Sequence, residues 1–366
     1  MTFLATNSFS HGTASRAAVL MLNLGTPREP TRQAVRRYLN EFLMDPRVVE
    51  IPRLIWWLLL RLVILPFRSG ASAQRYASVW TPAGSPLLDF SERQHRALSA
   101  ELQARGFDID VLLAMRYGDP SIPAAMERMR QSGITRLLVI PMYPQYSATT
   151  TASALDGVMQ VLLQTRNVPE LRVIRNFHDH PGYIEALRRS VHEYWDAHGR
   201  PDRLVMSFHG LPRRNLDLGD PYHCECAKTA RLLAAALGIG PDEYSLSFQS
   251  RFGRAKWLEP YTVDTLRKLA RDGVGRVDVV CPGFTADCLE TLEEIAQEAR
   301  TDFLTSGGRE FHLIPCLNEA PPFIGALADL VESHTQGWPL RMADAAALQE
   351  AAHQSQTRAL AMGAVR

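Results

Sequence analysis

The chain reads as an α/β protein of two similar halves, each a parallel sheet with helices on both faces. Three observations predict this. Eight short apolar strands alternate with helical patterns, the signature of βαβ units. Strand ends run into turns that carry Gly and then Pro. Three such strand ends also occur twice in the same order.

In chain order, the first strand covers residues 18–24 and a helix pattern follows near 31–44. After an apolar interruption come a helix at 89–104, a strand at 108–115, a helix at 120–132 and a strand at 135–141. A helix at 151–165 and a strand at 171–176 complete eight-element alternation in this part. The second half repeats it: helix 182–197, strand 203–208, helix 221–237, strand 244–249, helix 260–272, strand 276–281, helix 286–299, strand 310–315 and helix 321–335.

The paired segments are Asn23-Leu24-Gly25-Thr26-Pro27 with Phe208-His209-Gly210-Leu211-Pro212, Arg116-Tyr117-Gly118 with Arg251-Phe252-Gly253, and Ile140-Pro141-Met142-Tyr143-Pro144 with Val280-Cys281-Pro282-Gly283-Phe284. Any βα turn attracts Gly and Pro, which is the simpler explanation. The preserved order favours an internal duplication. The expected units are 17–170, with an insertion at about 52–86, then 171–336, then an alanine-rich tail at 337–366.

Composition narrows the function. The chain is 46% hydrophobic and 22% charged, as soluble globular proteins are. Forty Lys and Arg against 39 Asp and Glu leave a net charge of +1, with basic residues scattered, so no nucleic-acid partner is expected. The polar N-terminus lacks a secretory apolar stretch, and five cysteines are an odd number in a long chain; both suggest reduced thiols in the cytoplasm.

One apolar run opens at Leu54 and closes at Leu65, bracketed by Pro52 and Pro66. As a helix between those prolines it reaches about 20 Å, short of the roughly 30 Å hydrocarbon core, so it is not expected to span a bilayer. Two readings stand. It is a buried core helix, or it is an exposed lip in which Trp56 and Trp57, flanked by Arg53, Arg61 and Arg68, suit a membrane interface or a large flat apolar ligand.

The candidate chemistry lies at two strand ends. His209 follows the 203–208 strand, and the helix opening near Thr285 sets Asp287, Glu290 and Glu294 at i, i+3 and i+7, opposite Leu289, Leu292 and Ile295. A polar stripe of this kind is usually a solvated face, and Asp287 with Glu290 also fits a helix cap. Position favours function, because open α/β sheets bind ligands at the carboxyl ends of their strands. A cleft between the halves would gather Leu24, Arg116, Tyr117, Tyr143, Tyr146, His209, Gln249, Ser250, Phe284 and Glu290. Neither G-x-G-x-x-G nor G-x-x-x-x-G-K occurs at these turns, so no nucleotide site is expected.

Eight motifs then stand in order: Leu22-Asn23-Leu24-Gly25-Thr26-Pro27, Gly84-Ser85-Pro86, Arg116-Tyr117, Tyr143-Pro144-Gln145-Tyr146-Ser147, Ser207-Phe208-His209-Gly210-Leu211-Pro212, Gly219-Asp220-Pro221-Tyr222, Phe248-Gln249-Ser250-Arg251 and Phe284-Thr285-Ala286-Asp287-Cys288-Leu289-Glu290-Thr291-Leu292. Together, over about residues 19–336, they resemble ferrochelatase. The resemblance implies two Rossmann-like, chelatase-like domains around a cleft in which Fe²⁺ enters protoporphyrin IX, two protons leave, and protohaem forms as the last step of haem synthesis.

In that family His209 and Glu290 would face each other as the catalytic, metal-handling pair. Asp287 and Glu294 would match the acidic line that relays protons or metal, and Arg116, Tyr117 and Phe284 would match residues near the macrocycle. Leu24, the apolar lip, Tyr117, Phe284 and Trp257 are the candidate porphyrin walls. Ser250 is placed with them, and Arg116 or Arg251 is the candidate cation for the propionates. Neutral imidazole can accept a pyrrole proton or ligate Fe²⁺, and the sequence leaves both open. The expected partners are protoporphyrin IX, Fe²⁺ and product haem, in the cytoplasm, with peripheral membrane contact through the lip. Rival readings are a chelatase for coproporphyrin III or for cobalt, and a non-catalytic haem carrier with His209 as axial ligand.

The chain departs from some family members. Ala148 stands where an iron–sulfur ligand cysteine would be, and residues 337–366 hold no cysteine, so a cluster of that kind is not expected. His223-Cys224-Glu225-Cys226 offers two thiols where a cluster wants four, and ordinary thiols are the better reading. Cys288 takes a position where several family members carry histidine.

Overall fold

Six consecutive residues of the first strand, Ala17 to Leu22, are buried, as expected of a central strand covered on both faces. In the computed structural model, which describes Phe3 and residues 11–253 and 255–365, β1 (Arg16–Gly25), β2 (Asp110–Tyr117), β3 (Ile134–Pro141) and β4 (Glu170–Val173) form one parallel sheet in the order β2-β1-β3-β4. A second parallel sheet is built from β5 (Arg203–His209), β6 (Tyr244–Gln249), β7 (Arg276–Val280) and β8 (Glu310–Leu313), in the order β6-β5-β7-β8. The two orders are the same.

Strand register aligns the two sheets with each other. Met21 pairs with Ile140 in the first sheet as Met206 pairs with Val280 in the second, which supports the pairing of residues 140–144 with 280–284. The expected match of Arg116 with Arg251 is corrected. Met115 N–H bonds the Pro120 carbonyl at 2.7 Å and Phe248 N–H bonds the Pro260 carbonyl at 2.8 Å, so Met115 corresponds to Phe248 and Arg116 to Gln249. The second half carries extra residues in the loop after β6.

The boundary expected at residue 170 is also moved. β4 pairs with β3 along Arg136–Glu170 to Val139–Val173 and so belongs to the first sheet. One apolar core then runs through both halves, joining Met21 and Leu138 to Phe208, Phe248 and Leu327. Tail residues return to the first half: Asp108 N–H bonds the Leu340 carbonyl at 2.7 Å, and the Arg341 guanidinium lies 4.1 Å over the Phe107 ring.

The apolar run is longer than its prolines suggest. Helical backbone continues from Arg53 through Pro66 to Val79. A π turn at Leu60–Ile64, closed by Leu65 N–H on the Leu60 carbonyl five residues back, precedes the proline and widens the backbone where its ring must fit. At 27 residues this is the one helix among the described residues long and apolar enough to cross a membrane by length and composition, so the length argument against spanning falls. Its inner face is packed all the same. Trp56, Leu60, Leu65, Ala73 and Tyr76 join Val35, Tyr38 and Leu39 in a cluster, while Leu54, Leu62 and Phe67 are 74%, 69% and 81% exposed. It is a lip, buried on one side and open on the other.

Candidate active site

His209 is the last residue of β5, and the glycine after it lets the chain turn close to its neighbours. Gly210 N–H bonds the Gln249 carbonyl at 2.8 Å, and a Cβ at this position would stand 2.5 Å from that oxygen and 3.3 Å from the Trp257 ring. No larger residue fits without moving the strand end. The imidazole meets the Phe284 ring edge-on, 6.2 Å between centroids. Burial pulls its pKa below the usual histidine value while the charge of Glu290 pulls it up; the first effect prevails, leaving the ring neutral near pH 7.

Glu290 opens a π-helix that runs to Ala299. Its i→i+5 closure moves same-face neighbours to i+4 and i+5, so the acidic line is Glu290, Glu294 and Glu298 instead of the expected i, i+3, i+7 row from Asp287. Asp287, expected in the same row, is engaged by neighbouring polar groups. Its Oδ1 accepts the Thr291 hydroxyl at 2.9 Å, its Oδ2 accepts Asn318 Nδ2 at 2.8 Å, and its own N–H donates to Asn318 Oδ1 at 2.9 Å. With both oxygens bonded and the residue buried, it ties the start of the helix to the loop after β8.

Glu294 is gripped by Ser250, whose backbone N–H donates to one carboxylate oxygen and whose hydroxyl donates to the other at 2.6 Å. Ser250 can do both because it sits at φ 65, in the left-handed region. Burial raises the Glu294 pKa to about 7 against these donors, and the charge of Glu290 adds to the rise. Farther out, Arg75 of the lip helix reaches Glu298 at 2.6 Å and Glu293 at 3.5 Å. Among the described residues no Arg or Lys pairs with Glu290 or Glu294. Tyr38 and Tyr76 close the space from the first half, buried and within range of the Glu290 charge.

The other expected site residues divide. Phe284 stands beside His209, and Trp257 packs over Gly210 with its indole N–H unpaired among the described residues. Leu24 packs into the lip cluster with Leu289 from the acidic helix turn, so the two halves meet there. Arg116 is not a free cation for a propionate, which corrects that reading. Its Nη2 pairs with buried Asp45 at 2.6 Å and its Nε donates to Ser153 at 2.8 Å. Tyr117 is 1% exposed and gives its hydroxyl to the same Asp45 at 2.8 Å, so it backs the site and does not line it. Ser250 likewise acts on Glu294. Arg251 is exposed and lies 4.6 Å over the Tyr261 ring.

Sequence reasoning missed Asp45, because its partners are far along the chain, and missed the π-helix, because i→i+5 closure leaves no mark in apolar spacing. Cys224 is exposed and Cys226 buried, as i and i+2 of one helix must be, so they do not form a chelating pair. A cavity of about 830 Å³ lies against the first half's outer helices, lined by Ile122, Met126, Arg130 and Gly157, and excludes His209 and Glu290. Among the described residues no group of three or more His, Cys, Asp or Glu is arranged to hold a metal ion.

Residues 16–335 match the family model described as Ferrochelatase. The ferrochelatase of Janthinobacterium sp. (strain Marseille) is 58% identical over 339 residues, covering 93% of this chain and 92% of that protein. That of Polaromonas sp. (strain JS666) is 55% identical over 370 residues, covering 100% of each. Among solved structures, the sirohydrochlorin chelatase SirB from Bacillus subtilis subspecies spizizenii, in complex with cobalt, has a TM-score of 0.50 at 12% identity over 88% of this chain and 97% of that one. That likeness concerns the fold alone.

Proposed function

The chain belongs to the ferrochelatase family, and from that premise we propose that it inserts Fe²⁺ into protoporphyrin IX, releasing two protons and forming protohaem, with His209 and Glu290 as the reacting pair. The observation that carries the residue assignment is a neutral imidazole at the end of β5 beside a carboxylate that no described cation neutralises.

The chemistry accounts for both groups. A free-base porphyrin must lose two pyrrole N–H protons, and the entering cation must exchange water for four ring nitrogens. A neutral imidazole takes a proton, or holds the cation while water leaves. Glu290 balances the cation's charge, and Glu294, titrating near pH 7, accepts and releases protons at working pH. Two protein ligands bind a cation loosely, which transfer requires. Leu24, Phe284, Trp257 and the lip supply apolar walls for the macrocycle, and an apolar wall favours protoporphyrin over a tetracarboxylate.

The lip also supports a peripheral place at a membrane from the cytoplasmic side. Its exposed Leu54, Leu62 and Phe67 project from a helix whose other face is packed, so it lies on an interface while the fold stays intact, with the exposed Arg61, over the Trp57 ring, available to anionic headgroups.

The test is anaerobic turnover of Fe²⁺ with protoporphyrin or coproporphyrin, read by haem absorbance. Wild type turns over protoporphyrin, His209→Ala loses at least about 10²-fold in kcat and Glu290→Gln a comparable amount. Full activity in the histidine variant would remove its role.

A further inference from the structure

We infer that Gln249 is a positioning residue: its amide pegs the first turn of the π-helix to the end of the second sheet, and its neutrality keeps Glu290 and Glu294 free of a bound cation. This rests on the chelatase reading of the same site.

Gln249 is the last residue of β6 and is buried. Its Nε2 donates to the Glu290 carbonyl at 2.9 Å, and its Oε1 accepts the Ser207 hydroxyl at 2.8 Å and the Cys281 thiol at 3.8 Å. Ser207 is itself 2.9 Å from Thr262, whose hydroxyl donates to Ser247 at 2.9 Å. All four hydroxyl and amide side chains are buried. One end of the amide is therefore anchored in a polar thread through β5 and β6, and the other holds the residue that carries the carboxylate. A buried amide bonded through its oxygen and its nitrogen, the nitrogen also reaching the Glu294 carboxylate, has one orientation available, so it fixes where the helix begins.

The first half ties the corresponding strand end to the segment after β3 through a different residue and a different partner. Arg116, which register equates with Gln249, donates from Nε to Ser153 at 2.8 Å, just after the π turn Ala148–Ala152 that follows β3. There the guanidinium has Asp45 to neutralise it, at 2.6 Å. An arginine at 249 would face Glu290 and Glu294 instead. It would occupy the carboxylates on which an incoming divalent cation depends. The two halves thus each tether this segment from the same strand position, one with a neutralised cation and the other with a neutral amide.

The experiment measures kcat and both KM values, per folded molecule by near-UV circular dichroism, for wild type, Gln249→Glu, Gln249→Met, Gln249→Lys and Ser207→Ala. Glutamate keeps the acceptor for Ser207 and loses the donor to Glu290. We expect both Gln249→Glu and Gln249→Met to lose about tenfold in kcat with the protoporphyrin KM unchanged. Ser207→Ala, the mildest change, should lose about threefold. Gln249→Lys should raise the Fe²⁺ KM at least tenfold with no change in the protoporphyrin KM, a split that a purely structural role would not produce. Wild-type kcat in Gln249→Glu, or an Fe²⁺ KM in Gln249→Lys equal to that of Gln249→Met, overturns the inference. Absence of turnover in the wild type would instead sink the chelatase reading.

Discussion

Replacing Glu294 with glutamine should stabilise the protein at pH 8 and slow it at the same time. Glu294 has a folded pKa raised from 4.5 to about 7, chiefly by burial. A carboxyl raised in this way binds more protons folded than unfolded between those values, so its presence lowers stability as pH climbs from 4.5 to 7. Below 4.5 it is neutral in both states and contributes no such penalty. Above 7 the full penalty applies, at most about 3 kcal/mol. Glutamine carries no charge at any pH but accepts one Ser250 donor where the carboxylate accepts two, which returns about 1 kcal/mol. The net gain at pH 8 is then about 2 kcal/mol, a rise of roughly 2–3 °C in melting temperature for a chain of this length. At pH 4.5 the same substitution should be neutral or slightly destabilising. Denaturant unfolding across pH 4.5–8.5 measures this, and anaerobic turnover at pH 7 should show a loss of about 10–100-fold in kcat as the proton acceptor disappears. A stability difference that does not change between pH 5 and 8 would refute the argument, since Glu294 would then not titrate in that window.

Two further outcomes follow from the fold. Asp278 is fully buried in the middle of β7, and Arg276 pairs with it at 3.0 Å while Trp195 Nε1 donates at 3.1 Å; Arg276→Ala should destabilise by about 3 kcal/mol in urea unfolding, because it strands a buried charge. A variant as stable as wild type would show that the pair contributes little. For the lip, Leu62→Asp with Phe67→Asp should reduce co-sedimentation with vesicles containing phosphatidylglycerol at least tenfold; unchanged binding would place the contact elsewhere.

The sequence by itself was enough for the two parallel sheets and for a histidine and an acidic helix at the carboxyl ends of their strands. Strands buried on both faces must be apolar throughout, and a tight turn at a strand end needs Gly and Pro, so both are written locally. What tertiary structure decided was the employment of each polar side chain. Asp287 and Glu294 look alike along the chain, yet one has both oxygens bonded to Thr291 and Asn318 and the other has a pKa near 7. Arg116 looks like a free cation until Asp45, 71 residues away, claims it. Pro66 looks like a helix end until a π turn makes room for it. Burial, backbone closure and ion-pair partners come from segments distant in sequence. They emerge only when the halves pack, which is why the polar residue types at the strand ends were legible and the partner each one takes was not.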